Sequence, residues 1–259
     1  MHSHIDFGYA WQWNYGHLVV AAIAAALCLL ALTQKWHKLL LALFGALTLW
    51  SFTAFLLVRF GFDMNGRMAL PTQSFLAAGS GTILDMGAGT GRSALMVLEA
   101  RPKTTLVALD SFSTEYVQHF GADGKAQEVP DVGRQRLLAN FRGAGVEQRA
   151  TIQPGDMRHM PFPSASFDGI VSAYAIDHLN SAGVRSALSE ASRVLKPGGE
   201  FLLIVIAKDV WLKFTFGPIL MHAATRAPDR WDQLLEQAGF QMVEQGKRPA
   251  TLYILTRKR

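Results

Sequence analysis

The sequence predicts an α/β fold, a doubly wound, mostly parallel seven-stranded sheet preceded by two transmembrane helices. Three observations carry this. Two long apolar runs stand at the N-terminus, short apolar strands alternate with helical patterns from Gly81 onward, and a glycine-rich turn, "GAGTGR", follows the first strand. Strands that alternate with helices imply a parallel sheet covered on both faces.

Half of the 259 residues are hydrophobic, and the excess sits in the first sixty. Leu18 to Leu32 carries no charge, and after "TQKWHK" a second run extends from Leu39 to Val58. A spanning helix needs roughly 20 predominantly apolar residues. The second run meets that length, and the first does so with Tyr15, Gly16 and His17 in the headgroup zone. A signal peptide would want a basic start, and residues 1–17 hold no Lys or Arg. Tyr9, Trp11, Trp13 and Tyr15 resemble an interfacial aromatic belt. The expected organisation is an interfacial segment (1–17), a two-helix hairpin (18–58), a linker (59–80) and a catalytic domain (81–259), the last on the cytoplasmic side. The positive-inside count is balanced: Lys35 and Lys38 lie in the loop, Arg59 and Arg67 after it. A spanning and a re-entrant hairpin are both compatible with the pattern. Ala21, Ala25, Gly45 and Ala46 would allow close helix packing and hence a homo-oligomer.

The single cysteine, Cys28, excludes a disulfide framework within one chain and fits a reducing compartment. The formal net charge of +5 suits an anionic membrane surface or an acidic substrate. Arg134, Arg136, Arg142 and Arg149 surround one predicted helix, expected as a solvated face partly turned to lipid headgroups. No basic stripe interleaved with aromatics points to nucleic acid, and no metal-ligand spacing emerges. A G-x-S-x-G elbow is missing, which disfavours a serine hydrolase.

In the soluble part, "TILDM", "TTLVALD", "RATIQ", "FDGIVSAY" and "EFLLIVI" read as five strands. Their near-continuous apolar character suits strands buried on both faces. "QMVEQG" and "ATLYILTRK" form a terminal pair with no helix between them, so the last strand enters antiparallel. A short helix is expected around Thr72–Ala78. The helix "GVRSALSEASRVLKPGG" is expected to close at Pro197 and its glycines, and that of "PDVGRQRLLANFRGAG" to be capped by Asp131.

The loop after the first strand lets backbone approach a ligand while the next helix aims its N-terminus at negative charge. Gly89-Thr90-Gly91-Arg92-Ser93-Ala94 fits the dinucleotide pattern, and Asp110 stands about twenty residues later to hold a ribose. The loop alone therefore leaves a nicotinamide cofactor open. The tighter frame is Asp85-x-Gly87-x-Gly89-x-Gly91, whose acid suits an ammonium group better than a pyrophosphate.

Together with "GDMRHMPFPSASFDGIVSAYAIDHL" and "RVLKPGGEFLL", this frame resembles the class I S-adenosylmethionine-dependent methyltransferases. The likeness is to the small-molecule and lipid-modifying group that includes the ubiquinone/menaquinone type, and it covers roughly residues 80–257. It implies a Rossmann-like domain and S-adenosylmethionine as cofactor. By resemblance, Asp85, Gly87, Gly89 and Gly91 line the methionine end and Asp110 takes the ribose hydroxyls. Ser111 then packs beside the adenine, Asp156 takes its amino group with Met157 alongside, and Tyr174 sits near the transferred methyl. Asp177 and His178, just past the fourth strand, are the expected catalytic pair, one acting and the other structural. His222, in the apolar connection after the fifth strand, is a third catalytic candidate, and the long stretch 112–130 is a candidate lid or a plain insertion. The expected acceptor is a hydrophobic or lipid molecule that partitions into the bilayer. Alternatives are a membrane-associated protein acceptor and a non-catalytic cofactor-binding scaffold.

Overall fold

The computed structural model describes residues 5–63, 65–112, 132–224 and 230–259, with residues 218–224 described by their backbone alone. Two long helices open the chain, α1 (Trp11–Thr33) and α2 (Lys38–Leu56), and α2 runs on into a π-helical turn, Leu57–Phe62. Both are long and apolar enough to cross a membrane, by length and composition. They pack on each other through small residues: Ala21, Ala24, Ala31, Ser51 and Ala54 are buried. Small side chains let helix backbones approach closely. Ala21 is thus used inside the hairpin, whereas Ala46 is exposed. Only 17% of the most apolar window of each helix is buried. These are therefore not core helices, and Ile23, Leu29, Leu39, Leu43, Leu49 and Phe52 are all exposed.

Seven strands form one sheet: β1 (Ser80–Met86), β2 (Lys103–Asp110), β3 (Ala150–Pro154), β4 (Phe167–Ala173), β5 (Leu195–Ile206), β6 (Phe240–Arg248) and β7 (Thr251–Lys258). Their order is 3-2-1-4-5-7-6. The first five pair in parallel, and β7 enters antiparallel between β5 and β6, as the missing helix between the last two strands requires. The order reverses at β1 and β4, where crossovers leave on opposite faces and open a crevice at the strands' carboxyl ends.

Side-chain alternation divides the core between the two faces. Ile83, Leu106, Val171 and Leu202 meet α3 (Arg92–Ala100) and α4 (Val132–Gly143) through Leu95, Leu98, Leu137 and Phe141. Leu84, Met86, Phe201 and Leu203 meet α5 (Ser181–Val194) and α7 (Trp231–Gln237) through Val184, Leu188, Trp231 and Leu235. Between β5 and α7 runs α6 (Val210–Ala224), kinked where Gly217 leaves helical geometry (φ 50°, ψ −137°).

Two local expectations are corrected. Residues 73–78 form hydrogen-bonded turns rather than a helix. Leu76 takes a left-handed φ of 47°, and its amide donates to the Glu200 carboxylate at 2.7 Å, off any helical path. The helix α5 ends at Val194, and Lys196–Gly199 already belongs to β5. Leu195 is fully buried and pairs with Phe167, so packing ends the helix before the Pro-Gly-Gly signal is reached. Of the arginines around α4, Arg134 and Arg142 are exposed, Arg142 pairs with Glu147 and Arg136 with Asp6, whereas Arg149 turns inward to donate to the carbonyls of Leu98 and Thr104. Asp131 and most of the stretch 112–130 lie outside the described residues.

Candidate active site

The carboxyl end of β1 turns at once into the glycine loop. Gly87, Gly89 and Gly91 all have positive φ (86°, 54° and 92°). At Gly87 a Cβ would also lie 2.3 Å from the Ala175 Cβ and 2.9 Å from the Met157 Cε. The loop, the segment after β4 and the "GDM" segment thus converge on one point. Backbone bonds hold the turn: Gly87 N and Ala88 N both donate to Leu109 O at the end of β2. The Asp110 carboxylate closes it, accepting from Gly89 N and Phe112 N at 2.9 Å each. Burial raises the Asp110 pKa, and the amides of Phe112 and Gly89 oppose the rise.

Asp85 is the unusual group. It is fully buried, and its Oδ2 accepts from Ser93 Oγ at 2.7 Å, while its Oδ1 has no partner. Desolvation pushes its pKa up to about 7. A buried acceptor without a donor is costly. An ammonium group placed there would supply both the donor and the charge, so the orphaned oxygen fits the methionine end of the expected cofactor.

Asp156 and Met157 follow β3. Met157 lies against the loop, as its approach to Gly87 shows. The Asp156 carboxylate is exposed and gripped by Arg158 through Nε and Nη2 at 2.6–3.0 Å, which holds its pKa below the usual value. Ser111 is exposed at the end of β2. Tyr174 takes a left-handed φ of 52°, which turns the chain out of β4, and its hydroxyl shares a hydrogen bond of 2.7 Å with Thr251 Oγ1.

Asp177 and His178 point apart, as adjacent side chains must. His178 is exposed, whereas Asp177 is buried, its Oδ2 accepting from Ile206 N at 3.2 Å and its Oδ1 without a partner. Burial raises the Asp177 pKa, and the His178 charge opposes the rise. The His222 side chain lies outside the described residues. No group of three or more His, Cys, Asp or Glu among the described residues could hold a metal ion.

Several site neighbours carry no local sequence signal. Tyr9, ahead of the hairpin, has its phenol pKa raised by burial, with the Arg92 guanidinium opposing and the Asp177 charge adding to it. The N-terminal flank also reaches the glycine loop, where Thr90 Oγ1 donates to Phe7 O at 2.9 Å. Arg92 donates to the carbonyls of Asp63 and Gly66, just past the hairpin. Beyond β5, Trp50 Nε1 donates to Phe214 O at 2.9 Å, and Phe216 meets Trp13 and Phe62 with ring centroids 6.0 and 6.1 Å away. The hairpin end and α6 thus pack side by side.

Sheet order, glycine loop and strand-end carboxylates define a doubly wound domain built to hold a nucleoside cofactor at its switch point. Residues 84–203, from β1 to β5, match the family model described as a methyltransferase domain. The chain is 29% identical over 189 residues to a demethylmenaquinone methyltransferase of Symbiobacterium thermophilum, covering 61% of this chain and 67% of that protein. It is 31% identical over 148 residues to a ubiquinone/menaquinone biosynthesis C-methyltransferase of Syntrophotalea carbinolica, covering 57% and 53%. The chain spans about half to two thirds of the length of these relatives. Among solved structures, an O-methyltransferase family 2 protein from Planctomyces limnophilus in complex with apigenin shares the fold. Its TM-score is 0.54 at 18% identity, over 92% of this chain and 62% of that one. These likenesses support a class I S-adenosylmethionine-dependent methyltransferase domain over residues 84–203.

Proposed function

We propose that this chain is a membrane-anchored S-adenosylmethionine-dependent methyltransferase whose acceptor is a hydrophobic molecule drawn from the bilayer, of the quinone-precursor kind. The observation that carries the reading is the exposed apolar hairpin packed against α6. Water penalises so large a contiguous apolar surface, whereas lipid does not. Trp211 and Phe214 on α6 and Phe60 at the hairpin end are exposed on apolar side chains too. A site held at the interface spares the enzyme from extracting an insoluble acceptor into water. The names of the two quinone-pathway relatives support an acceptor of that chemistry.

The cofactor brings a methyl group on a sulfonium, a leaving group already activated. The chain's part is to align the acceptor and exclude water, a proximity effect of several kcal/mol. In this reading Asp85 and the glycine loop seat the methionine end, Asp110 the ribose, and Asp156 with Met157 the adenine. Asp177 takes the proton released by the acceptor atom as its bond to the methyl carbon forms.

Feeding deuteromethyl cofactor to membranes with and without the enzyme is the direct test. Mass spectrometry should find label in the lipid extract. Label confined to protein or to water-soluble molecules would refute the hydrophobic acceptor.

With the labelled acceptor in hand, Asp177→Asn is expected to lower kcat by about 10²- to 10⁴-fold, the usual span for a lost general base. The exposed His178, as His178→Gln, should change it little. A carboxylate base with a raised pKa acts only when ionised, so the wild-type rate should rise with pH through that pKa, a limb that Asp177→Asn abolishes. Equal losses in the two variants would count against Asp177 as the base.

A further inference from the structure

The glycine loop is gripped from outside the domain, by the chain on both sides of the hairpin. On the N-terminal side Phe7 is buried among the residues beneath α3, and its carbonyl accepts from Thr90 Oγ1 at 2.9 Å. Asp6 and Asn140 bond in both directions: Asp6 N donates to Asn140 Oδ1 at 2.9 Å, and Asn140 Nδ2 donates to Asp6 O at 2.8 Å. The same Nδ2 donates to Thr90 O, inside the glycine loop, at 2.9 Å. On the other side Arg92 holds Asp63 O and Gly66 O at 2.7 and 2.9 Å. Asn65 then ties the two flanks together, accepting from Tyr9 N and donating to Tyr9 O at 3.2 Å each.

We propose that Asn140 is a positioning residue for cofactor binding, splicing the anchor's N-terminal flank to the Gly89–Gly91 turn. The proposal rests on the reading of that loop as the S-adenosylmethionine site. Asn140 lies on α4, is 2% exposed, and reaches the glycine loop through the backbone carbonyl of Thr90. Its carboxamide uses both donors and an acceptor at once, which neither a carboxylate nor a hydroxyl can do.

A loop carrying three glycines has more backbone freedom to lose than a glycine-free stretch of its length. Left loose, it would lose that freedom on binding and weaken the affinity; held beforehand, it binds pre-formed. The bonds to Thr90 O from Asn140 and from Thr90 Oγ1 to Phe7 O pin the loop from both sides of its middle residue. Sequence near the loop does not contain this device, because the flank is some eighty residues earlier and Asn140 fifty later.

The test is calorimetric titration of S-adenosylhomocysteine into the full chain in phosphatidylcholine nanodiscs, with hydrogen exchange read at residues 87–91. Two variants are compared with the wild type. Asn140→Ala removes all three bonds, and Asp6→Pro removes the flank's amide donor, together with the Asp6 carboxylate's contacts to Gly8 N and Arg136, without altering any residue of the domain. Both are expected to weaken binding about tenfold and to speed exchange at the loop amides, the scale of one or two buried hydrogen bonds. Thermal melting shows whether each variant is folded, and if Asn140→Ala is not, Asp6→Pro decides. Folded variants that bind as tightly as the wild type, whatever their melting temperature, would overturn the proposal, leaving Asn140 a purely structural residue. A wild type that binds nothing would overturn the cofactor reading and this inference with it.

Discussion

Asp85→Asn is expected to make the cofactor-free protein more stable above pH 7 and to weaken S-adenosylhomocysteine binding by on the order of 10- to 100-fold. Both effects come from one carboxyl. Asp85 is fully buried, keeps one oxygen without a donor, and titrates near 7 against an ordinary 3.8. Between those two values the folded chain still holds a proton that the unfolded chain has released. The unfolded state then binds fewer protons, so stability falls as pH rises through the window. The penalty is roughly a few kcal/mol once the carboxyl is ionised. An asparagine carries no such charge, and its oxygen still accepts from Ser93. Melting curves of the two proteins should therefore lie close together below an ordinary carboxyl pKa of 3.8 and separate progressively up to about pH 7, with the variant higher. A bound ammonium would instead favour the ionised carboxyl, which is why the same substitution loses affinity. If wild type and variant melt with the same pH dependence, the buried charge is not the cause. If the variant binds as tightly, Asp85 does not face the ammonium.

The contrast between Asp85 and Asn140 marks how much the sequence contains of this site. Asp85 stands in a periodic frame with Gly87, Gly89 and Gly91, and all three glycines adopt the left-handed conformations that such a turn demands. The mostly parallel sheet and the antiparallel entry of the last strand were legible for a similar reason, since alternating elements leave a parallel sheet few ways to wind. The short turn at Leu76 was not, because a long-range acceptor, Glu200, draws its amide away from helical geometry. The end of α5 was misplaced by the Pro-Gly-Gly signal, because burial of Leu195 in the sheet outweighs a local stop. Buried Arg101 is a further case: its guanidinium donates to Phe75 O and Gln73 O, tying the linker to the domain. No pattern around Arg101 announces that, since the partners are carbonyls, which every residue has. Asp177 and His178 lie between the extremes. Adjacency dictates that they diverge, but only the amide of Ile206 decides which one turns inward.

Gly87→Ala is expected to abolish cofactor binding and to destabilise the domain, and the two contributions can be separated. The first is conformational. A φ of 86° is costly for a residue with a Cβ, by roughly 1–2 kcal/mol. The second is steric: the added methyl would lie 2.3 Å from the Ala175 Cβ, with the Met157 Cε at 2.9 Å. Met157 is unbranched and can move aside, whereas Ala175 sits beside the left-handed Tyr174 on the segment that turns out of β4. Overpacking of this kind costs typically 1–3 kcal/mol. The double variant Gly87→Ala with Ala175→Gly removes the nearest clash and leaves the backbone strain untouched. Stability measured by denaturant titration should then recover by about the steric share, while binding recovers only in part, because the loop still cannot take its shape without strain. Recovery of both to the wild-type level would mean that the left-handed turn is not required, and that the glycine serves only to let the segment after β4 pass close by. No recovery at all would place the whole cost in the backbone, and the convergence of loop, Met157 and Ala175 would then have no energetic part in the site.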